Sequence, residues 1–223
     1  NGGTVTKNLN FTINNNIING DEYSNFLFGN GNNNIINGLE NSDYIYGFRG
    51  DDYISGGDGD DIIVGGLGDD TISGDRGDDY LFGSFGNDKY LFNMGDGKDT
   101  IIEYESFCSD DIDTISFGEG IQADNVSFIR KWNDLTIRLN ENDFIQINDW
   151  YSYYDNHKIE KVSFFDGTTL SIDDVESRAI LLGSDKKDNI QGYSSDDKIY
   201  GLEGNDKIHG YDGNDLINGG KGI

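Results

Sequence analysis

A nine-residue repeat is the feature that most constrains how this chain can fold. Every ninth residue from Gly20 to Gly83 is glycine, and an asparagine or aspartate follows each of them by five residues, from Asn25 to Asp88. Two residues further on stands a large apolar or aromatic side chain, from Leu27 to Tyr90. A strict period of this length is typical of stacked repeats, because one repeat cannot bury its own apolar side chain.

Each repeat divides into a six-residue loop and a three-residue strand. Glycine at the first, second and fourth positions permits positive φ and close approach of neighbouring loops, so the loop carbonyls are exposed. The apolar eighth position faces inward and the seventh and ninth face outward, since strand side chains alternate. One carboxylate per loop together with free carbonyls is the oxygen-rich ligand set that calcium prefers.

The segment Gly65–Ser73 states the repeat in full as G-G-x-G-x-D-x-U-x, with U a large apolar residue. This pattern resembles the RTX family, the calcium-binding nonapeptide-repeat exoproteins of Gram-negative bacteria. An in-register series of such motifs is highly specific. The resemblance implies an all-β fold of parallel β-roll type, with two nonapeptides in each coil and coils about 4.8 Å apart.

The resemblance also implies which residues hold each calcium ion, between two loops that are two repeats apart. The earlier loop would give the carbonyls of its second and fourth residues and its sixth-position aspartate. The later loop would give the carbonyls of its first and third residues and its own aspartate. In the first array the implied ligands are Leu39, Asn41, Asp43, Phe48, Gly50, Asp52, Gly56, Gly57, Asp58, Gly59, Asp61, Gly65, Gly66, Leu67, Gly68, Asp70, Gly74, Asp75, Arg76, Gly77, Asp79, Gly83, Phe85, Asp88, Met94, Asp96 and Asp99. In the second array they are Ser184, Lys186, Asp188, Tyr193, Ser195, Asp197, Gly201, Glu203, Asp206, Gly210, Asp212 and Asp215.

The array departs from this pattern at its ends. Asn25 and Asn34 replace the aspartate, and a neutral amide stabilises a divalent ion less, so coils before about residue 38 are expected to bind calcium weakly or not at all. Those coils are expected to stack through asparagine side chains instead. After the first array the register slips by two residues, and Met94–Ile101 repeats the motif once more. In the second array Lys186 and Ser195 stand where the pattern has glycine.

Four segments follow from the positions of the repeats. Residues 1–10 are a lead-in, 11–99 a first β-roll block, 100–182 a β-rich bridging or capping domain, and 183–223 a second, truncated β-roll block. The bridging segment resembles the β-rich domain of Frp-like iron-regulated RTX proteins, for example at Asn148–Tyr151. Its alternating patterns predict strands at Asp113–Phe117, Val126–Arg130, Leu135–Leu139, Phe144–Ile147 and Val162–Phe165. Ser171 is expected to cap a short helix running to about Leu181. Because the chain ends inside a repeat, we expect a segment of a longer protein.

The charge balance limits the partners of the chain. Lys and Arg number 16 against 42 Asp and Glu, a formal charge of -26. A compact chain of this charge repels itself, so folding is expected to be coupled to calcium binding. Nucleic acid is not expected as a partner, because phosphate contacts need clusters of Lys and Arg and the sequence has none. The sequence has no apolar run long enough to span a bilayer. The single cysteine, Cys108, cannot form an internal disulfide, which leaves metal as the expected stabiliser.

An enzyme is the first alternative class. Carboxylate pairs such as Asp60-Asp61 recur every nine residues, which suits ligands rather than a catalytic dyad set apart by its surroundings. His157 and His209 are far apart in sequence and lack a zinc-ligand pattern. We therefore expect no catalytic residue and no cofactor other than calcium.

An adhesive module is the second alternative class. Trp150, Tyr151, Tyr153 and Tyr154 form an aromatic cluster in the bridging domain. Such a cluster either stacks on sugars or on a partner protein, or simply packs the core and cap. The first use would make a carbohydrate or a host-surface ligand a partner.

Taken with the resemblance, the sequence predicts a calcium-binding structural module of a type I secreted RTX exoprotein, a toxin or an adhesin. It would stay unfolded in the low-calcium cytosol and fold outside the cell. Its expected location is extracellular or on the bacterial cell surface, and its expected partners are calcium ions and the type I secretion machinery. Whether the whole protein is a toxin, adhesin, protease or lipase stays open.

Overall fold

A computed structural model describes residues 16–103, 111–152 and 158–222. Nearly all the regular structure in these residues is β-strand, with one short helix. In chain order the elements are β1 Ile17–Asn19, β2 Phe26–Asn30, β3 Ile35–Glu40, β4 Tyr44–Arg49, β5 Tyr53–Asp58, β6 Ile62–Leu67, β7 Thr71–Arg76, β8 Tyr80–Phe85, β9 Lys89–Phe92, β10 Lys98–Ile101, β11 Thr114–Phe117, β12 Ser127–Lys131, β13 Asp134–Arg138, β14 Phe144–Ile147, β15 Lys161–Ser163, β16 Thr169–Ser171, α1 Ile172–Arg178, β17 Ile180–Leu182, β18 Asn189–Gln191, β19 Lys198–Tyr200, β20 Lys207–His209 and β21 Leu216–Asn218.

The strands form stacked coils of eighteen residues, each made of two nonapeptides. Alternate strands pair in parallel, so that Ile36 lies beside Ile54 in one sheet and Ile45 beside Ile63 in the other. One sheet has eight strands in the order β1-β3-β5-β7-β9-β11-β15-β16. The other has eleven, in the order β2-β4-β6-β8-β10-β14-β13-β12-β17-β19-β21, and β18 pairs with β20 separately. The predicted parallel β-roll is confirmed.

The core lies between the two sheets and is built from the eighth position of each repeat. These side chains stack in columns along the coil axis and are fully buried from Leu27 to Tyr90. Each buried isoleucine contributes about 1.5–3 kcal/mol relative to an exposed one. The repeat therefore places one core residue per strand, and the nine-residue period fixes which one.

The bridging segment extends both sheets rather than interrupting them. Strand β11 pairs in parallel with β9, and β14 pairs in parallel with β10. Strand β13 pairs antiparallel with both β14 and β12. Strand β12 then pairs in parallel with β17, and β17 pairs in parallel with β19 of the second array. Hydrogen-bonded sheet therefore crosses both of the expected boundaries, near residues 99 and 182. The division into separate domains stays a prediction.

Helix α1 begins where the sequence predicts and ends earlier. The Ser171 side chain accepts a hydrogen bond from the Asp174 N–H, and the Asp174 carboxylate accepts one from the Ser171 N–H, which forms a capping box. The helix ends at Arg178, because Ala179 is extended and the next three residues form β17 between β12 and β19. The expected helical end near Leu181 is wrong, since pairing with two neighbouring strands outweighs local helix propensity.

Trp150 belongs to the core. It is fully buried, and its Nε1–H donates to Glu176 Oε1 at 3.2 Å. Its use as an exposed stacking platform is therefore wrong. Tyr151 is half-buried and its ring packs on the Arg130 guanidinium. The other residues singled out from the sequence here, Tyr153, Tyr154, His157 and Cys108, lie outside the described residues.

Candidate calcium sites between stacked loops

Loops eighteen residues apart lie directly on one another, as the predicted ligand pairs require. Between loops 56–61 and 74–79, the Gly59 N–H donates to the Arg76 carbonyl at 2.7 Å. In the same interface Gly57 is paired with Asp75 in the strand ladder. The structure therefore brings the two halves of this predicted site together.

The sixth-position aspartates form a ladder along each edge of the roll. The backbone N–H of each donates to Oδ1 of the aspartate one coil further on: Asp43 to Asp61 at 2.7 Å, Asp52 to Asp70 at 2.8 Å, Asp61 to Asp79 at 2.7 Å and Asp70 to Asp88 at 2.8 Å. These aspartates are at most 3% exposed. One carboxylate oxygen of each is thus fixed by the neighbouring coil.

The second carboxylate oxygen is buried without a hydrogen-bond partner among the described residues. This holds for Oδ2 of Asp43, Asp52, Asp61, Asp70 and Asp206. A Cβ atom added at Gly56 would overlap Asp61 Oδ2 and would lie 2.7 Å from the Gly74 carbonyl oxygen. Two oxygens from two loops therefore converge on a space that only glycine leaves open. Buried charged oxygens without partners are costly unless a cation is bound to them.

Burial raises the pKa values of these carboxyls. Loss of solvent is the main cause, and it raises the pKa of Asp61 from 3.8 to about 7 and that of Asp70 to about 8. The charges of Asp79 and Asp43 add to the effect at Asp61, and those of Asp88 and Asp52 add to it at Asp70. A hydrogen bond from the backbone opposes the shift in both. The carboxyls Asp79 and Asp99 face each other, and burial raises the pKa of each.

The loops adopt two conformations, which we call open and closed. In the open loops the second and fourth residues have positive φ, for example 113° at Gly57 and 144° at Gly59. Open loops are 38–43, 47–52, 56–61, 65–70, 74–79, 83–88, 201–206 and 210–215. In the closed loops, all within the described residues, the second and fourth residues do not have positive φ. The side chain of the sixth residue accepts a hydrogen bond from the backbone N–H of the second residue of the same loop. Closed loops are 20–25, 29–34, 183–188 and 192–197.

The shifted repeat after the first array also stacks as the sequence predicts. The Gly77 N–H donates to the Asp96 carbonyl at 2.7 Å, and the Asp79 N–H donates to Asp99 Oδ1 at 3.1 Å. Gly95 and Gly97 have positive φ, like the second and fourth residues of an open loop. The two-residue slip is absorbed before Met94, so the loop itself is unaltered.

The acidic ladder continues past the repeats, which the sequence analysis missed. The Asp88 N–H donates to Asp113 Oδ1 at 2.7 Å, and the Asp113 N–H donates to Glu160 Oε2 at 2.8 Å. Asp113-Thr114-Ile115-Ser116 has the last four residues of the repeat, and that match was a usable signal. Glu160 has no such signal. Glu103 was also missed; it is buried and accepts a hydrogen bond from the Tyr90 hydroxyl.

The ligand chemistry fits calcium, provided that backbone oxygens take part. The described residues contain no group of three or more His, Cys, Asp or Glu side chains placed to hold a metal alone. Each open interface instead offers a buried carboxylate oxygen and adjacent loop carbonyls, which are hard oxygen ligands. Residues such as Gly57, Gly59, Asp61, Gly74 and Asp79 would hold the ion, and its charge would compensate the buried carboxylates.

Comparison with known proteins agrees with this geometry. The family described as RTX calcium-binding nonapeptide repeat matches residues 12–45, 28–63, 55–90, 180–208 and 191–223. Because these matches span more than half of the chain, the chain belongs to the RTX calcium-binding repeat family. The haemolysin-type calcium binding protein related domain matches residues 134–174, inside the bridging segment.

Two individual proteins are similar over part of their length. The iron-regulated protein FrpA of Neisseria meningitidis serogroup C is 34% identical over 111 residues, which are 48% of this chain and 10% of that protein. The crystal structure of extracellular lipase LipA from Serratia marcescens aligns with 91% of this chain and 27% of that one, at 17% identity and a TM-score of 0.25. The matched segment thus spans about a tenth of the length of the curated relative. No helix among the described residues is long and apolar enough to cross a membrane.

Proposed function

We propose that this chain is a calcium-dependent structural module of a secreted RTX exoprotein, and that it folds when calcium binds. The observation that carries the proposal is the ladder of buried sixth-position aspartates. At Asp43, Asp52, Asp61 and Asp70 the Oδ2 atom has no hydrogen-bond partner in the part of the chain that the structure describes. The ion pair between Arg76 and Asp58 lies on the exposed surface and involves no sixth-position aspartate. Calcium between the loops would supply the missing positive charge.

Coupled folding follows from the same energetics. Without a cation, each coil added to the roll buries two more carboxylates beside like charges. With calcium in hundredfold excess over its dissociation constant, each independent site adds about 2.7 kcal/mol to folded-state stability. Several sites together decide whether the roll is folded. In a parent protein exported by a type I machinery, low cytosolic calcium would keep the chain unfolded for passage, and extracellular calcium would fold it.

The role outside the cell belongs to the same proposal. The repeat is a structural, calcium-binding unit, and we infer no catalysis by this segment. A toxin or an adhesin carrying these repeats would use the roll as a rigid spacer or scaffold. The host-surface ligand expected of an adhesin would not be stacked on Trp150, which is buried.

Substitution of adjacent aspartates tests the proposed metal role. Asp70 is buried at the sixth position, whereas Asp69 beside it is exposed at the fifth. We expect Asp70→Asn to lower the number of bound calcium ions or raise the calcium midpoint of folding several-fold, because it weakens two inter-loop sites. The matched control Asp69→Asn should bind calcium like the unmodified protein. Equal calcium binding by both variants would refute the assignment of the sixth position as a ligand.

A further inference from the structure

The closed loops share one intraloop hydrogen bond. The second residue of each loop donates its N–H to the sixth side chain: Asp21 to Asn25 Oδ1 at 2.8 Å, Asn30 to Asn34 Oδ1 at 2.8 Å, Ser184 to Asp188 Oδ2 at 2.6 Å and Tyr193 to Asp197 Oδ2 at 2.6 Å. In open loops the corresponding oxygen, Oδ2 of Asp43, Asp52, Asp61, Asp70 and Asp206, has no hydrogen-bond partner among the described residues. The closed bond therefore occupies the oxygen that an open loop presents between coils.

The bond does not need a carboxylate. In the first array Asn25 and Asn34 accept this intraloop hydrogen bond with a neutral amide oxygen, and both bonds are 2.8 Å long. Asp188 and Asp197 make it in the second array, although their charge would suit a calcium site. The closed conformation of the second pair is therefore not explained by the sixth residue.

In the second array the fourth residue disfavours opening, whereas loop 29–34 is closed although its fourth residue is Asn32. Open loops have positive φ there, at a glycine or at Asn41, and asparagine tolerates that conformation better than other non-glycine residues. Lys186 and Ser195 occupy the fourth position of the closed loops in the second array, and opening would force each into left-handed backbone at about 1–2 kcal/mol. Opening would also break the bond from Ser184 or Tyr193.

We propose that Lys186 and Ser195 exclude calcium from the coil that begins the second array, so that loops 183–188 and 192–197 are metal-free caps despite their aspartates. The inference rests on the proposed function, because it concerns which loops of a calcium-binding array are used. It reverses the expectation from sequence that Asp188 and Asp197 ligate calcium. Each array then starts with a coil closed by its own side chains, on which calcium-bound coils stack.

The first test counts bound calcium in two pairs of aspartate substitutions. Equilibrium dialysis with elemental analysis at saturating calcium gives the number of ions per chain. Asp188→Asn with Asp197→Asn should retain the full count, because asparagine makes the same intraloop bond in the first array. Asp61→Asn with Asp70→Asn is the matched pair in open loops and should lose ions or require several-fold more calcium. Loss of ions in the 188/197 pair would overturn the inference.

The second test opens the closed loops. Lys186→Gly with Ser195→Gly removes the backbone strain, and we expect a gain of one or two ions together with faster amide exchange at Ser184 and Tyr193. An unchanged ion count in this variant, folded by circular dichroism, would overturn the role of the fourth residue. A wild-type protein that binds no calcium would instead overturn the proposed function, so the two failures are distinguishable.

Discussion

At the scale of single residues, the sixth-position aspartate has two carboxylate oxygens with different surroundings. Asp61 Oδ1 accepts the Asp43 N–H and ties two coils together, whereas Oδ2 is buried without a partner in the described part of the chain. The first oxygen stabilises the stack and the second destabilises it until a cation binds. Under the proposed function, the same side chain would therefore hold the coils together and make their stability depend on a bound cation.

The raised pKa values predict how the metal-free protein responds to pH. In the folded chain Asp61 and Asp70 hold their protons up to a pKa of about 7 and about 8, whereas the unfolded chain releases them near 3.8. The folded state thus binds more protons, and its stability falls as the pH rises from about 4 to about 8. Circular dichroism of chelator-treated protein should show more β-structure at pH 5 than at pH 8, with a smaller difference in Asp70→Asn. Higher metal-free stability at pH 8 would contradict this account.

Gly57, at the second loop position, is predicted to resist substitution because its φ lies beyond the 66–88° that Leu39, Phe48 and Asp75 adopt at the same position. Gly57 has φ of 113°, and an added Cβ would overlap the Leu39 carbonyl oxygen. Gly57→Ala should lower the stability of the calcium-loaded protein by about 2 kcal/mol or more, since the conformation alone costs about 1–2 kcal/mol. Gly31→Ala is the control, because a Cβ there meets nothing within 4 Å. Thermal unfolding measures both, and equal midpoints would show that the loops are not held as described.

Single residues were predictable to the extent that they follow the repeat. The core positions follow from the period, and the stacking of loops eighteen residues apart was implied by the resemblance to the RTX family. The closed loops were not predictable, because Asp188 and Asp61 are the same residue at the same position and differ only in backbone conformation. We infer that this difference follows from the strain that opening would impose on the backbone at Lys186 and Ser195, which the repeat pattern does not show.

At the scale of elements, each strand alternates one core residue with exposed neighbours. In β6, Ile63 is fully buried while Ile62 is 39% exposed. Ile63→Ala should destabilise the loaded protein by about 2–5 kcal/mol, because it leaves a cavity in the apolar column. Ile62→Ala should cost far less. Chemical denaturation at saturating calcium measures both, and similar costs would mean that the strand register is wrong.

The sequence predicted the strands and the helix of the bridging segment, but it did not predict which strands pair with one another. The alternating patterns located β11 to β15, and the capping residue Ser171 located the start of α1. The end of the helix and the pairing of β17 with two strands depend on neighbours distant in sequence. The acidic ladder through Asp113 to Glu160 likewise depends on a contact across 47 residues, which no local pattern reveals.

At the scale of the whole molecule, continuous sheets and high charge oppose each other. The two main sheets run through the first array and the bridging segment, and the eleven-stranded sheet reaches the second array. The chain carries a formal charge of -26, so its compact form is disfavoured by self-repulsion. Cations bound along both edges of the roll would reduce that repulsion. Under the proposed function, metal binding would therefore stabilise the fold as a whole rather than a single loop.

A calcium titration with ion counting, followed by far-ultraviolet circular dichroism on the same samples, tests the central claim most directly. The account predicts a chain with little β-structure in chelator at neutral pH and low salt, and a cooperative gain of β-structure as several ions bind. Magnesium at equal concentration is the control, because its small octahedral coordination shell suits carbonyl-rich loops poorly. A chain that has full β-structure in chelator, or that folds at millimolar calcium without binding any ion, would contradict the account.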